Sequence, residues 1–261
     1  MSHDPEALAR HLLTKEDGSV ALERIATGMS DAAVFRATRN GHAPHYVKVA
    51  ADAAASALRE EIERIRWLAA RGIAVPRVLR VEDRGDSVAV LMAAIAGQPA
   101  DISRISTPLL IAALAKAVAA LHALPPAGCP FDETLQLRFA RAQAAVEAGD
   151  IDKAEFEPRN RDVVPADLLR RLRATQPRED IVVVHGDLTL GNIIIDDSGA
   201  TGFIDCGNAG RGDRYLDLAL LHADIVAHRG QAAGAQFLAA YGGAPFDAAK
   251  ARYFLDLYEL F

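Results

Sequence analysis

Residues 181–217 read IVVVHGDLTLGNIIIDDSGATGFIDCGNAGRGDRYLD, and this stretch carries the strongest structural signal in the chain. Its first four residues are apolar and β-branched, which predicts a buried strand that leads into Asp187. Two further strand-like runs, 192–196 and 201–205, flank the turn signal Asp-Ser-Gly-Ala and predict a hairpin. The stretch therefore predicts short strands with polar residues at their ends.

The predicted hairpin gives these polar residues a chemical reason to meet. With a four-residue turn, Asn192 faces Asp205, and directly opposed residues have Cβ atoms about 4.5–5.5 Å apart. Their amide and carboxylate oxygens can then hold one hard cation such as Mg2+. The loop 188–191 returns Asp187 to the same end. Each residue alone is more typical of a turn or a cap. Together they supply the carboxylate and the metal ligands that phosphoryl transfer from Mg-ATP requires.

The bulk composition is that of a globular protein. The chain has 261 residues, of which 51% are hydrophobic and 25% charged, enough for one large domain or two small lobes. The sequence shows neither an apolar run of membrane-spanning length nor the pattern of a signal peptide. Cys129 and Cys206 are too few for a disulfide framework or a zinc site, so we expect a cytoplasmic protein with reduced thiols.

The charge bears on the choice of partner. The formal net charge of −6 argues against a nucleic-acid partner, whose phosphates it would repel. It is compatible with a cationic small molecule. Neither a nucleic-acid nor a membrane partner is expected.

The elements predict an α+β fold with a β-rich N-terminal lobe, residues 1–95, and a mainly helical C-terminal lobe, residues 96–261. Residues 96–99 are expected to connect the lobes. In the first lobe, a helix is predicted over 53–71, with strands over 20–25, 33–39, 45–49, 78–82 and 87–92. In the second lobe, helices are predicted over 108–124, 132–148, 165–175, 213–228, 232–241 and 247–260.

Lys48 is a charged residue inside a hydrophobic strand. If it is buried it needs an acidic partner, because an unpaired charge in the interior is costly. Candidates on the following helix are Glu60, Glu61 and Glu63. The other interpretation of Lys48 is an exposed position on an edge strand.

The segments HGDLTLGNIIID and GFIDCGNAGRGDRYLDLAL resemble the catalytic and metal-binding segments of the aminoglycoside phosphotransferases, most of all the 3′-phosphotransferases that act on kanamycin and neomycin. The resemblance covers about residues 27–261. It implies a protein-kinase-like two-lobe fold, with Asp187 as the catalytic base and Asn192 and Asp205 as Mg2+ ligands. ATP would be the phosphoryl donor.

The resemblance also implies roles in the first lobe. Lys48 would contact the ATP phosphates, and the family pattern of Glu six residues before Trp-Leu selects Glu61 as its partner. Met29 and Ser30 would belong to a loop over the phosphates. Met92 and Ala94 would lie at the hinge that meets adenine.

In the second lobe, the resemblance implies that a group of acidic residues binds the ammonium groups of an aminoglycoside. Charge-assisted hydrogen bonds suit this task, because they are strong and directional. The candidates are Glu155, Glu157, Asp224, Glu259 and the chain-end carboxylate of Phe261. The chain departs from the 3′ pattern at Pro158, Arg159, Thr189, Gly191, Asn208 and Tyr258. These departures lie in the parts that would meet the acceptor and put the antibiotic range in question.

The sequence thus predicts an ATP-dependent kinase that phosphorylates an aminoglycoside hydroxyl, the 3′-hydroxyl by resemblance, and so gives resistance. One alternative is a kinase of streptomycin or of another small-molecule hydroxyl. Another is a kinase-like protein that binds nucleotide without catalysis, although Lys48, Asp187, Asn192 and Asp205 are all present. A protein-serine kinase is disfavoured, because the HRD and DFG motifs are absent.

Overall fold

The computed structural model describes residues 4–13, 20–25 and 32–261, with the side chain of Glu155 left out. The chain divides into two compact units. The first comprises Met1–Gly97 and Gly202–Gly207, and the second comprises Gln98–Thr201 and Asn208–Phe261. The roles predicted for two lobes, nucleotide binding and catalysis, stay predictions.

The first unit contains an antiparallel sheet. Its strands are β1 (Ala21–Ile25), β2 (Ala33–Thr38), β3 (His45–Ala51), β4 (Arg77–Asp83) and β5 (Ser87–Ala93), in the order β1-β2-β3-β5-β4. Each lies close to its predicted range. Val47 and Val49 of β3 are buried on one face, and they are the neighbours of Lys48 in the chain. The alternation along β3 places the lysine on the opposite face.

Two helices belong to the first unit, α1 (Pro5–Leu13) and α2 (Ala53–Ala69). The apolar stripe of α2, formed by Leu58, Ile62, Ile65 and Leu68, is 3% exposed or less. Burial of each such side chain contributes about 1.5–3 kcal/mol, so the stripe fixes which face of α2 points outward. The helix ends two residues before its predicted limit.

The helix α1 was not predicted from the sequence, where this segment was tested only against the pattern of a signal peptide. Its start does carry signals, since Asp4 accepts a hydrogen bond from the backbone N–H of Glu6 at 3.0 Å and Pro5 occupies the first turn. Leu8, Leu12 and Leu13 are buried against the sheet. The helix is short, so tertiary packing stabilises it more than its own propensity does.

The second unit is mainly helical. Its helices are α3 (Thr107–His122), α4 (Leu135–Ala148), α5 (Pro165–Ala174), α6 (Tyr215–Arg229), α7 (Gln231–Tyr241) and α8 (Ala248–Tyr258). One buried cluster joins α4, α5, α6 and α8 through residues such as Phe139, Leu168, Tyr215 and Leu257. This cluster fixes the position of the C-terminal helix.

Short strands accompany these helices. They are β6 (Gln98–Pro99), β7 (Ile181–Val184), β8 (Ile193–Ile195), β9 (Thr201–Phe203) and β10 (Gly210–Asp213). The division between the units passes through β9. The predicted turn before β9 is present, because Asp196 exchanges backbone hydrogen bonds with Gly199 and Ala200 at 3.0 Å.

Two strands correct the sequence-based expectations. The predicted connector 96–99 contains β6, which pairs antiparallel with β8. Residues 210–213, the last of which was expected to begin a helix, form β10, which pairs antiparallel with β7. Their sequence, Gly-Arg-Gly-Asp, has little strand propensity, so pairing with an apolar partner overrides the local preference. Within the described residues, no helix is both long and apolar enough to span a membrane.

Candidate active site

The first unit holds a buried cation between two carboxylates. Lys48 Nζ donates to Glu61 Oε1 at 2.8 Å and also to Asp205 Oδ1. The side chains of Lys48 and Glu61 are only 13% and 12% exposed, which rules out the exposed edge-strand interpretation. The pattern that selected Glu61 among three candidates therefore identified the residue that pairs with Lys48. Their roles towards ATP stay predictions.

Burial by itself would lower the pKa of Lys48, but the adjacent carboxylates of Glu61 and Asp205 raise it above its ordinary value. The amine is consequently charged across the physiological range. A permanent positive charge fixed by Glu61 is what a phosphate-binding lysine needs.

Asp205 lies just after β9 with a positive φ of 55°, a conformation that non-glycine residues adopt rarely. Its side chain is 49% exposed, so its carboxylate remains accessible to a metal ion while it pairs with Lys48. The next residue, Cys206, is fully buried, and burial raises the pKa of its thiol. Cys206 is therefore a core residue and no nucleophile.

The second unit holds Asp187, three residues after the end of β7 and directly before the loop 188–191. Asn192 Nδ2 donates to the backbone carbonyl of Asp187 at 2.8 Å and to its Oδ2 at 3.2 Å. Tyr258 Oη donates to the other carboxylate oxygen, Oδ1, at 2.7 Å. The loop thus brings Asp187 and Asn192 together, as their spacing predicted.

The hydrogen bonds of Asn192 also test whether it can hold a metal ion. Because its amide nitrogen is committed to Asp187, its amide oxygen is left for another partner. An amide oxygen and a carboxylate oxygen are ligands that Mg2+ accepts, so Asn192 and Asp205 each fit by chemistry. Asn192 belongs to the second unit and Asp205 to the first, and their joint role as ligands stays a prediction.

A buried carboxylate that the sequence analysis did not single out holds the His-Gly-Asp loop. Asp217, at the start of α6, accepts hydrogen bonds from the backbone N–H groups of His185 and Gly186, each at 2.8 Å. It also contacts His122 Nε2 at 3.0 Å. Burial would raise the pKa of Asp217, but the hydrogen bond from His122 and the nearby histidines hold it below its ordinary value. The loop therefore rests on an ionised anchor.

Gly186 itself is constrained from two sides. Its φ is +82°, and a Cβ there would lie 2.2 Å from the carbonyl oxygen of Asn208. Arg138, on α4, donates to the Gly186 carbonyl at 2.8 Å. Arg138 also pairs at 3.0 Å with Glu133, which is fully buried. Only glycine fits at this position, which explains the middle residue of the His-Gly-Asp sequence.

The acids predicted to bind a substrate have different surroundings. Glu157 is exposed and lies 3.7 Å from Arg159. Asp224 accepts from the backbone N–H of Leu190 at 2.7 Å and so supports the loop around Asp187. Glu259 accepts from Asn160 at 3.0 Å and its side chain is 6% exposed. The side chain of Glu155 lies outside the described part of the structure.

The end of the chain adds an interaction that the sequence did not indicate. The guanidinium of Arg138 lies over the ring of Phe261, 5.3 Å from its centre. Asp256, which is on α8 five residues before Phe261, accepts from Arg159 at 2.7 Å and from Arg171 at 3.2 Å. This C-terminal acid is thus already paired with two cations of the chain itself.

Two of the remaining predicted positions, Met92 and Ala94, lie in β5 and directly after it. Met29 and Ser30 fall outside the described residues. Met92 is buried in β5 with 4% exposure. The backbone N–H of Ala94 donates to the carbonyl of Pro44 at 3.2 Å, so this donor is already used. An adenine contact through that N–H would require the bond to Pro44 to break.

Comparison with known proteins places the chain in a family. The sequence model described as the phosphotransferase enzyme family, abbreviated APH, matches residues 21–254. The chain belongs to this family. The resemblance to aminoglycoside phosphotransferases and the kinase-like fold are thereby confirmed.

Individual members of the phosphotransferase family are similar over nearly the whole chain. The streptomycin 3″-kinase of Streptomyces griseus is 38% identical over 248 residues, 89% of each chain. An aminoglycoside 3′-phosphotransferase of type VIII has a crystal structure with 33% identity and a TM-score of 0.87, covering 99% of this chain and 100% of the other.

A third relative, aminoglycoside phosphotransferase APH(3″)-Id from Streptomyces rimosus, has a structure in complex with ADP and streptomycin. It is 34% identical with a TM-score of 0.84, and the match covers 98% of both chains. The use of ATP by this phosphotransferase is consistent with the nucleotide seen in that relative.

Proposed function

We propose that this phosphotransferase transfers the γ-phosphoryl group of ATP to a hydroxyl of an aminoglycoside antibiotic and thereby gives resistance. The observation that carries the proposal is the state of Asp187. Its carboxylate is oriented by Asn192 and already accepts a hydrogen bond from a hydroxyl group, that of Tyr258, at 2.7 Å. A general base must lie within hydrogen-bond reach of the hydroxyl that it deprotonates, and this carboxylate is arranged for such a contact.

Lys48 and Glu61 supply the electrostatic part of the reaction. The ammonium of Lys48, fixed by Glu61 at 2.8 Å, would bind the α and β phosphates of ATP. Asn192 and Asp205 would hold Mg2+, which when bound neutralises charge on the phosphates. Asp187 would orient the acceptor hydroxyl and take its proton. Positioning and charge neutralisation account for most of the rate in this class of reaction.

Two acceptors are supported by separate observations. The 3′-hydroxyl of kanamycin or neomycin is supported by the sequence motifs and by the 3′-phosphotransferase with 33% identity. Streptomycin is supported by the relatives that act on it or bind it, at 38% and 34% identity.

We place streptomycin first among the acceptors to test, because the relative named as its kinase is 38% identical to this chain, against 33% for the 3′-phosphotransferase of type VIII.

The experiment is a coupled ADP-release assay with streptomycin, kanamycin and neomycin as acceptors, followed by NMR of the phosphorylated product to identify the modified hydroxyl. Acceptor-dependent ADP release with at least one of them is expected. The matched control is Asp187→Asn, which keeps the shape of the side chain and removes its basicity. ATP binding without ADP release on any of the three antibiotics would overturn the proposal and favour a kinase-like binding protein.

A further inference from the structure

The hydroxyl group that donates a hydrogen bond to Asp187 belongs to a side chain of the protein itself. Tyr258 is the last residue of α8, 71 positions beyond Asp187 in the chain, and its Oη donates to Oδ1 of Asp187 at 2.7 Å. The other carboxylate oxygen accepts from Asn192. The phenol thus makes the contact that the acceptor hydroxyl has to make during catalysis.

Burial alone does not account for this contact, because Tyr258 is 40% exposed. The energetic reason for the contact is the hydrogen bond to a charged group, which is stronger than one between neutral groups.

The polypeptide on both sides of Tyr258 is anchored. Asp256, only 8% exposed, accepts from Arg159 at 2.7 Å and from Asn160 at 2.9 Å. Glu259 accepts from Asn160 at 3.0 Å, and Leu260 is fully buried. These contacts leave little freedom to the end of α8, so Tyr258 is presented to Asp187 as a fixed side chain.

The phenol stays a donor under ordinary conditions. Burial and the charge of Asp187 raise the pKa of Tyr258 above its ordinary value. The hydroxyl is therefore neutral across the physiological pH range, and it can keep its hydrogen bond to the carboxylate.

We propose that Tyr258 occupies the acceptor position on Asp187 in the resting enzyme, and that its hydroxyl suppresses transfer of the phosphoryl group to water until an acceptor displaces it. The inference rests on the proposed function. In the suppressed reaction, a water oxygen would bond to the γ-phosphorus and the bond from phosphorus to the bridging oxygen of ADP would break. The proton of the water would go to Asp187, and the products would be ADP and phosphate.

The consequence is a specific split in the kinetic constants. The acceptor has to displace the phenol before it can bind. Its apparent Kd is therefore its intrinsic Kd divided by the fraction of enzyme in which Asp187 is free. Removing the hydroxyl should lower KM for the acceptor without changing kcat. A tyrosine that helped to bind or orient the acceptor would have the opposite effect, a higher KM or a lower kcat.

The test compares Tyr258→Phe with the wild type in the presence of Mg-ATP and absence of acceptor. Acceptor-free ADP release should rise about tenfold, the effect of losing one hydrogen bond to a charged group. KM for streptomycin, or for whichever aminoglycoside the wild type uses, should fall by a similar factor. Tyr258→Ala, measured in parallel, should show the same rise and provides the result if the phenylalanine variant does not fold.

The matched control is Tyr253→Phe. Tyr253 is on the same helix. Its Oη donates to the backbone carbonyl of Leu172 at 3.1 Å and not to the carboxylate of Asp187. This variant should lose some thermal stability and leave acceptor-free ADP release unchanged.

Two results would overturn the inference. One is a folded Tyr258→Phe enzyme whose acceptor-free ADP release stays at or below the wild-type rate. The other is a phosphate group on Tyr258 in intact-mass spectra of wild-type protein incubated with Mg-ATP, because the phenol would then be a substrate. Failure of the proposed function is distinguishable from both, since it would appear in the wild type as no aminoglycoside-dependent ADP release.

Discussion

The carboxylate of Asp217 accepts the backbone N–H of Gly186 at 2.8 Å, across 31 positions of the chain. The same carboxylate accepts the N–H of His185, and its third contact is the imidazole of His122. Asp187 is the next residue, so the direction of its side chain depends on a loop that a remote buried anion holds. The orientation of the proposed base is therefore a property of the packing of α6.

Asp187→Asn should reduce kcat by at least about 100-fold, because general-base assistance contributes roughly 10²–10⁴-fold to such reactions. The amide keeps the shape of the carboxylate, so the melting temperature should stay close to that of the wild type. ADP-release kinetics and calorimetry check both expectations. Retention of more than a few per cent of the wild-type kcat would contradict the role of Asp187.

Glu61→Gln should raise KM for ATP several-fold, since it loosens the side chain of Lys48. The free energy of unfolding should fall by about 1–2 kcal/mol. That is less than the roughly 3–5 kcal/mol for breaking an isolated buried pair, because Asp205 still pairs with Lys48. Glu63→Gln, on the same helix with a side chain 61% exposed, is the control and should change either quantity little. Equal effects of the two variants would refute a special role for Glu61.

Asp217→Asn should destabilise the protein by about 3 kcal/mol near neutral pH, because at least one buried N–H loses its acceptor. The folded-state pKa of Asp217 is depressed, so its stabilising contribution is present above the ordinary aspartate pKa of about 3.9 and is lost as the pH falls through the lower folded value. The stability difference between wild type and variant should therefore be constant above about pH 5 and shrink below about pH 4.

Urea denaturation between pH 3 and 7 measures this difference. Asp197→Asn removes the same charge from an exposed turn and is the control. Its free energy of unfolding should differ little from that of the wild type at any pH in this range. A difference for Asp217→Asn that grows on acidification would contradict the depressed pKa.

Gly186→Ala should nearly abolish activity and cost more than about 1 kcal/mol of stability. The added Cβ would lie 2.2 Å from a backbone oxygen of Asn208, in a region of positive φ that side chains rarely adopt. Gly191→Ala in the same loop is the control, since its Cβ would meet only Thr189 Oγ1 at an ordinary 3.6 Å. ADP release and thermal melting of the two variants separate the specific requirement from a general sensitivity of the loop.

Local patterns in the sequence predicted much of the fold. The apolar period along α2 and the β-branched run of β7 predict their elements because each depends on residues that are near in the chain. The contact of Asn192 with Asp187 was predictable for the same reason, since only four residues of loop separate them. The Lys48–Glu61 pair was predictable because a buried charge requires a partner and the family pattern named one.

The tertiary structure alone decided the contacts that cross long separations. The glycine-rich strand β10 depends on its pairing with β7. The backbone N–H of Ala94 donates to the carbonyl of Pro44. No local sequence pattern predicts either contact. Asp217 and Tyr258 reach the loop around Asp187 from α6 and α8, across 31 and 71 positions. Side chains at such distances are brought together by how helices pack around a shared core. The sequence thus indicated which groups are proposed to perform the chemistry, and helix packing decided which side chains contact them.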